Sequence, residues 1–223
     1  METATLVSLN AGIQGGKSLK NTYRNQIKTN LFFDENYKLI ENFILCIQEI
    51  DRDFQDFKNY GNLKNKTSSK DKSKKENQLR IIYNNSNLEV IEEVLVDIGS
   101  RLQIVSFKLN DVYFVLINCH IPQKKKLKLG AIENFFILRE MVKNFHYYNI
   151  PFIIAGDINH NRTQIINLIG HHFYFANDKD KITTTGGNSI DHIMYSNHNI
   201  LENFQVFNDA TISSENAKIN HFA

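Results

Sequence analysis

The chain has no tryptophan, two prolines and two cysteines, and no apolar run near the roughly 18 residues of a membrane span. Cys46 and Cys119 lie in separate apolar runs, so both are expected to be small buried hydrophobes. Two thiols make neither a disulfide framework nor a structural zinc site. Residues Met1 to Thr5 carry neither the basic stretch nor the apolar region of a secretory signal, which points to a soluble intracellular protein. Charge of one sign is scarce too, with 26 Lys and Arg against 24 Asp and Glu. A net charge of +2 neither demands nor excludes a nucleic-acid partner, because a groove can be basic on a near-neutral protein.

What is present is globular: 42% hydrophobic and 22% charged residues over a length that suits one domain, 1–223, with its own core. Strand-like runs recur throughout. Leu6 to Leu9, Phe43 to Ile47, Leu79 to Tyr83, Leu88 to Val96, Phe152 to Ala155 and Ile190 to Tyr195 are expected strands. Leu102 to Leu109 and Val112 to Cys119 flank Asn110-Asp111, the simplest hairpin signal in the chain. Apolar spacing predicts a helix over Ala131 to Phe145 and a short one over Tyr37 to Phe43. Hairpins mixed with strand–helix units predict an α+β sandwich of two mostly antiparallel or mixed sheets with helices outside. Lys58 to Glu76 breaks the pattern, with nine lysines and serines between Lys64 and Lys75, and is expected to be a mobile surface loop or a basic arm.

The chemistry-bearing residues follow the strands. Leu6-Val7-Ser8-Leu9 runs into Asn10, and Ile44 to Ile47 into Gln48-Glu49. Val115 to Cys119 runs into His120, Ile153 to Gly156 into Asp157-Ile158-Asn159, and Asn188-Ser189-Ile190 into Asp191. Near the end of the sequence stands Asn220-His221. Polar groups at strand ends can converge over one edge of a sandwich, where a rigid scaffold holds them. Carboxylate and amide oxygens suit a hard cation such as Mg²⁺, and imidazoles suit proton transfer near neutral pH. Singly, each residue is equally at home as a turn residue, a cap or a satisfied histidine.

As an ordered set, Ser8-Leu9-Asn10, Ile47-Gln48-Glu49, Asn118-Cys119-His120, Gly156-Asp157-Ile158-Asn159, Ser189-Ile190-Asp191 and Asn220-His221 resemble the endonuclease/exonuclease/phosphatase superfamily, the DNase I-like proteins. The resemblance spans nearly the whole chain. It implies a four-layer α/β sandwich, with two mixed β-sheets packed face to face and helices outside. It also implies a phosphoesterase dependent on Mg²⁺, or Mn²⁺ in its place. Glu49 would be the principal metal ligand, with Asn10 beside it and Asn220 as a further donor. His120 would contact or protonate phosphate oxygens, Asp157 would orient or deprotonate the attacking water, and Asn159 would hydrogen-bond the phosphate. Asp191 would hold His221 against the phosphate. The family usually ends in Ser-Asp-His, whereas this chain reads Ile219-Asn220-His221, which weakens the metal half of the set. Ser189 stands where an arginine is common, and only Phe222 and Ala223 follow His221.

The substrate is read less directly. The inositol phosphatase branch carries a Trp-Cys-Asp-Arg signature, and this chain has no tryptophan. The expected activity is therefore an intracellular nuclease acting on DNA or RNA by in-line attack of water. Lys124, Lys125 and Lys126, which follow His120, are the candidate substrate-binding lysines. Two alternatives stand beside it. One is a phosphatase or phosphodiesterase for a small-molecule, lipid or protein–nucleic-acid ester; the other is a binding module that has lost turnover.

Overall fold

The computed structural model describes residues 5–10, 43–50, 60–64, 78–84, 88–94, 101–121, 129–176 and 190–196. These residues form two sheets. The first contains β1 (Thr5–Asn10), β2 (Phe43–Ile50), β3 (Gly61–Lys64) and β4 (Gln78–Tyr83), in the order β1-β2-β4-β3. The second contains β5 (Leu88–Val94), β6 (Leu102–Leu109), β7 (Val112–His120), β8 (Phe152–Asp157), β9 (Tyr174–Phe175) and β10 (Asp191–Tyr195), in the order β5-β6-β7-β8-β10-β9. Both sheets are mixed: β1–β2 and β7–β8 are parallel pairs, and the other neighbours are antiparallel.

Side chains alternate across a strand, so each continuous apolar run feeds two buried layers. Ile44, Cys46, Ile81 and Tyr83 from the first sheet meet Val105, Phe107, Phe114, Leu116, Ile153 and Ala155 from the second. The opposite phase of the second sheet, Leu102, Ile104, Val115, Ile117, Phe152 and Ile154, packs against two helices. Helix α1 (Leu129–Tyr147) contributes Phe135, Leu138 and Val142, and helix α2 (Arg162–Ile169) contributes Ile165 and Ile169. Each fully buried side chain of this size is worth about 1.5–3 kcal/mol. Leu45, Ile47 and Ile82, on the outer phase of the first sheet, are buried as well, so that sheet is covered on both faces. The architecture is the expected sandwich of two face-to-face mixed sheets with a helical layer outside.

Three local features go beyond the sequence reading. Residues 61–64 lie within the stretch expected to be a surface loop, yet they form an edge strand in which Leu63 packs against the inter-sheet core. Low apolar content does not prevent an edge strand, because backbone pairing with β4 satisfies it along one side. Helix α2 and the two-residue β9 were not anticipated. The helix expected over Tyr37 to Phe43 lies outside the described residues except for Phe43, which opens β2.

The turn that aims β8 is specified locally. After α1, Asn149 takes φ 52°, Asn149 N donates to His146 O at 3.2 Å, and Ile150 N donates to Phe145 O at 2.8 Å. This is a Schellman closure with asparagine in the left-handed position, and Pro151 then stops any return to helix.

Candidate active site

Strand register brings the site together. β7 pairs with β8 so that His120 lies beside Asp157, and β8 pairs with β10 so that Asp157 lies beside Asp191. On the other flank, Leu102 pairs with Cys119, and one step further His120 N donates to Arg101 O at 3.0 Å. Arg101, one residue before β6, and His120, Asp157 and Asp191 at the ends of β7, β8 and β10 therefore form one row. His120 and Asp157 share the phase of Leu116 and Ala155, which face the other sheet.

Contacts within the row are specific. Arg101 Nη1 lies 3.0 Å from His120 Nδ1, and His120 Nε2 lies 3.8 Å from Asp157 Oδ2. Asp157 is 2% exposed, so its carboxylate is costly unless paired. Part of that cost is met by Asn159 N, which donates to Asp157 Oδ1 at 2.9 Å. Asn159 stands at φ 56°, a left-handed conformation that asparagine tolerates, and its Nδ2 donates to Ile121 O at 2.8 Å. The remaining backbone of this turn is tied on every side. Ile121 N donates to Asp157 O, Ile158 N to Ile190 O, and the buried His192 bonds through Nε2 to His160 O at 2.9 Å.

The first sheet is locked to this row by buried amides. Gln48 Nε2 donates to Asn118 Oδ1 at 2.7 Å. Asn118 Nδ2 donates to Ile47 O at 3.2 Å and to Arg80 O at 3.1 Å, and Gln103 Nε2 donates to Leu63 O at 3.0 Å. Asn10 pairs in register with Gln48, so Asn10 and Glu49 stand at the same end of the sandwich as His120 and Asp157. Those two residues are described as strand positions only. Lys124, Lys125, Lys126, Asn220 and His221 lie outside the described residues. Among the described residues, no group of three His, Cys, Asp or Glu side chains is placed to hold a metal.

The thiols take no part in this chemistry. Burial pushes the Cys46 thiol far above its usual range. Cys119 is raised by burial first and then by the charges of Asp157, Cys46 and Asp191. Neither supplies a thiolate as nucleophile or ligand near neutral pH.

Arg101 and Gln103 have no place in the sequence motifs, and Gln48 and Asn118 stand in them without a role. The three amides did leave a signal, as polar residues inside apolar runs at an inward phase. Arg101 left none, since it follows Gly99-Ser100 in an unremarkable polar stretch.

No family model matches the chain, and no curated protein matches it by sequence. Solved structures do match. Truncated TDP2 from Caenorhabditis elegans is 17% identical with a TM-score of 0.62, covering 85% of this chain and 83% of that one. TDP2 from D. rerio, complexed with a single-strand DNA product, is 12% identical with a TM-score of 0.65 over 90% and 86% of the two chains. The endonuclease domain of TRAS1, a telomere-specific non-LTR retrotransposon, is 17% identical with a TM-score of 0.64 over 96% and 94%. The chain shares the DNase I-like fold of these solved structures. No helix among the described residues is long and apolar enough to cross a membrane.

Proposed function

We propose that this chain hydrolyses phosphodiester bonds in nucleic acid, with a divalent cation and water as nucleophile. The observation that carries this reading is the row of Arg101, His120, Asp157 and Asp191 at one end of a DNase I-like sandwich. Single-stranded DNA is the first substrate to test, because the D. rerio TDP2 structure holds a single-strand DNA product.

Asp157 would orient the attacking water and take its proton, since its Oδ1 is held by Asn159 N while Oδ2 faces the row. Asn159, braced on Ile121 O, would use its remaining amide hydrogen toward a phosphate oxygen. Asp191 would orient His221, and Lys124, Lys125 and Lys126 would track the phosphate backbone. The donors fit a hard cation: Asn10 and Glu49 stand on adjacent strands at this end. Gln48 Oε1 adds a buried oxygen that has no hydrogen-bond partner among the described residues. Mg²⁺ held by Glu49 with Asn10 and Asn220 would neutralise charge on the phosphoryl oxygens.

The test is cleavage by the purified chain in Mg²⁺ of labelled single- and double-stranded DNA and RNA, beside a generic aryl phosphodiester. Asp157→Asn should lower kcat/KM by about 10²–10⁴-fold. If wild type and Asp157→Asn cleave equally, the turnover belongs to a contaminant and the reading fails. Binding without cleavage in several divalent ions would instead identify a binding module.

A further inference from the structure

We propose that Arg101 is a positioning residue that holds His120 as the neutral tautomer protonated on Nε2. His120 then acts as a hydrogen-bond donor to a phosphoryl oxygen and does not exchange a proton during turnover. This rests on the phosphodiesterase reading for its role in the reaction, but not for the tautomer itself.

The chemistry of the two side chains makes the assignment. A guanidinium carries only donors, so the 3.0 Å contact from Arg101 Nη1 to His120 Nδ1 is a hydrogen bond only when Nδ1 is bare. The imidazole proton then sits on Nε2. An imidazolium would set N–H against N–H and one positive charge beside another at that distance. Burial of His120 opposes the charged ring as well. The Asp157 carboxylate favours it, but its Oδ2 is further away, at 3.8 Å. The nearer group and burial act together against the charged form.

The pairing is built into the fold. His120 N also donates to Arg101 O, so the two residues are cross-strand neighbours, and the side-chain contact repeats what the ladder sets. With Nδ1 occupied, Nε2–H is turned toward Asp157. At 3.8 Å the two are too far apart for a direct hydrogen bond, so the Nε2 proton points into the row, where it would meet an oxygen of a bound phosphoryl group.

The experiment is ¹⁵N NMR of the histidine side chains in the uniformly labelled full chain near neutral pH. The His120 signals are identified by their loss in His120→Gln. The wild type should show a bare Nδ1 and a protonated Nε2. Arg101→Met should populate the other tautomer, and Arg101→Lys, which keeps a donor, should restore the original one. On an aryl phosphodiester, Arg101→Met should lower kcat on the order of tenfold with less effect on KM. A protonated Nδ1 in the wild type, an unchanged tautomer in Arg101→Met, or a change confined to KM would each overturn the proposal. The NMR result needs no substrate. A chain that cleaves nothing yet shows the expected tautomer would refute the proposed function and leave the positioning role standing.

Discussion

Gly156 on β8 stands opposite Cys119 of β7, at φ 147°, and a Cβ built there would overlap the carbonyl oxygen of Cys119. That close approach is what lets Asp157, one residue on, stand level with His120. Glycine is required twice over, by the positive φ and by the contact with backbone that cannot move aside. Gly156→Ala should therefore cost about 3 kcal/mol, combining overpacking with backbone strain, read as a lower urea midpoint. It should also depress turnover more than the residual folded fraction explains, because β8 must shift away from His120. An unchanged midpoint would show that the two strands are not so closely apposed. Asp157 shows the complementary logic, a buried carboxylate kept in place by a backbone N–H and by its neighbours in the row.

Between elements, the two sheets are coupled by more than apolar packing. Asn118 on β7 satisfies two carbonyls of the opposite sheet and accepts a hydrogen bond from Gln48 Nε2, all with no exposure to water. Buried amides of this kind set the relative position of the sheets, since a slide by one residue would leave several of them unpaired. Asn118→Leu should cost about 2–4 kcal/mol in chemical denaturation, mostly from the carbonyls of Ile47 and Arg80 and from the loss of the shortest of the Gln48 Nε2 hydrogen bonds. A near-neutral result would mean that packing alone aligns the sheets. Helix α2 makes a smaller point at the same scale. Its Asn161-Arg162-Thr163-Gln164 start is a complete capping box, with Gln164 N donating to Asn161 Oδ1 at 3.0 Å and Asn161 N to Gln164 Oε1 at 3.1 Å. That signature was legible, but eight residues carry too little apolar periodicity to bring attention to it.

At the scale of the whole molecule, the two thiols report on global opening. Both are fully buried, so the folded state holds their protons above the ordinary thiol value of 9.0 while the unfolded chain releases them. Below that pH the contribution is fully present, and as pH rises past it stability falls by about 1.4 kcal/mol per pH unit for each thiol. Urea midpoints measured across this range should decline, and Cys46→Ala should flatten the decline. In the native protein at about pH 8, a thiol reagent should label neither cysteine faster than global unfolding permits. Rapid labelling of either would contradict the burial.

What the sequence by itself determined is the set of strands and the residues at their ends. Alternation and apolar runs are local properties, and His120, Asp157, Asn159 and Asp191 stand at strand ends as their runs imply. The hairpin at Asn110-Asp111 and helix α1 are local in the same sense. Only the tertiary structure decided which strand ends are neighbours. That depends on register across pairs far apart in sequence, β7 with β8 and β8 with β10, and on the glycine that lets them close. It also brought in Arg101, whose role comes entirely from standing opposite His120 across a ladder, a relation that no reading along the chain contains.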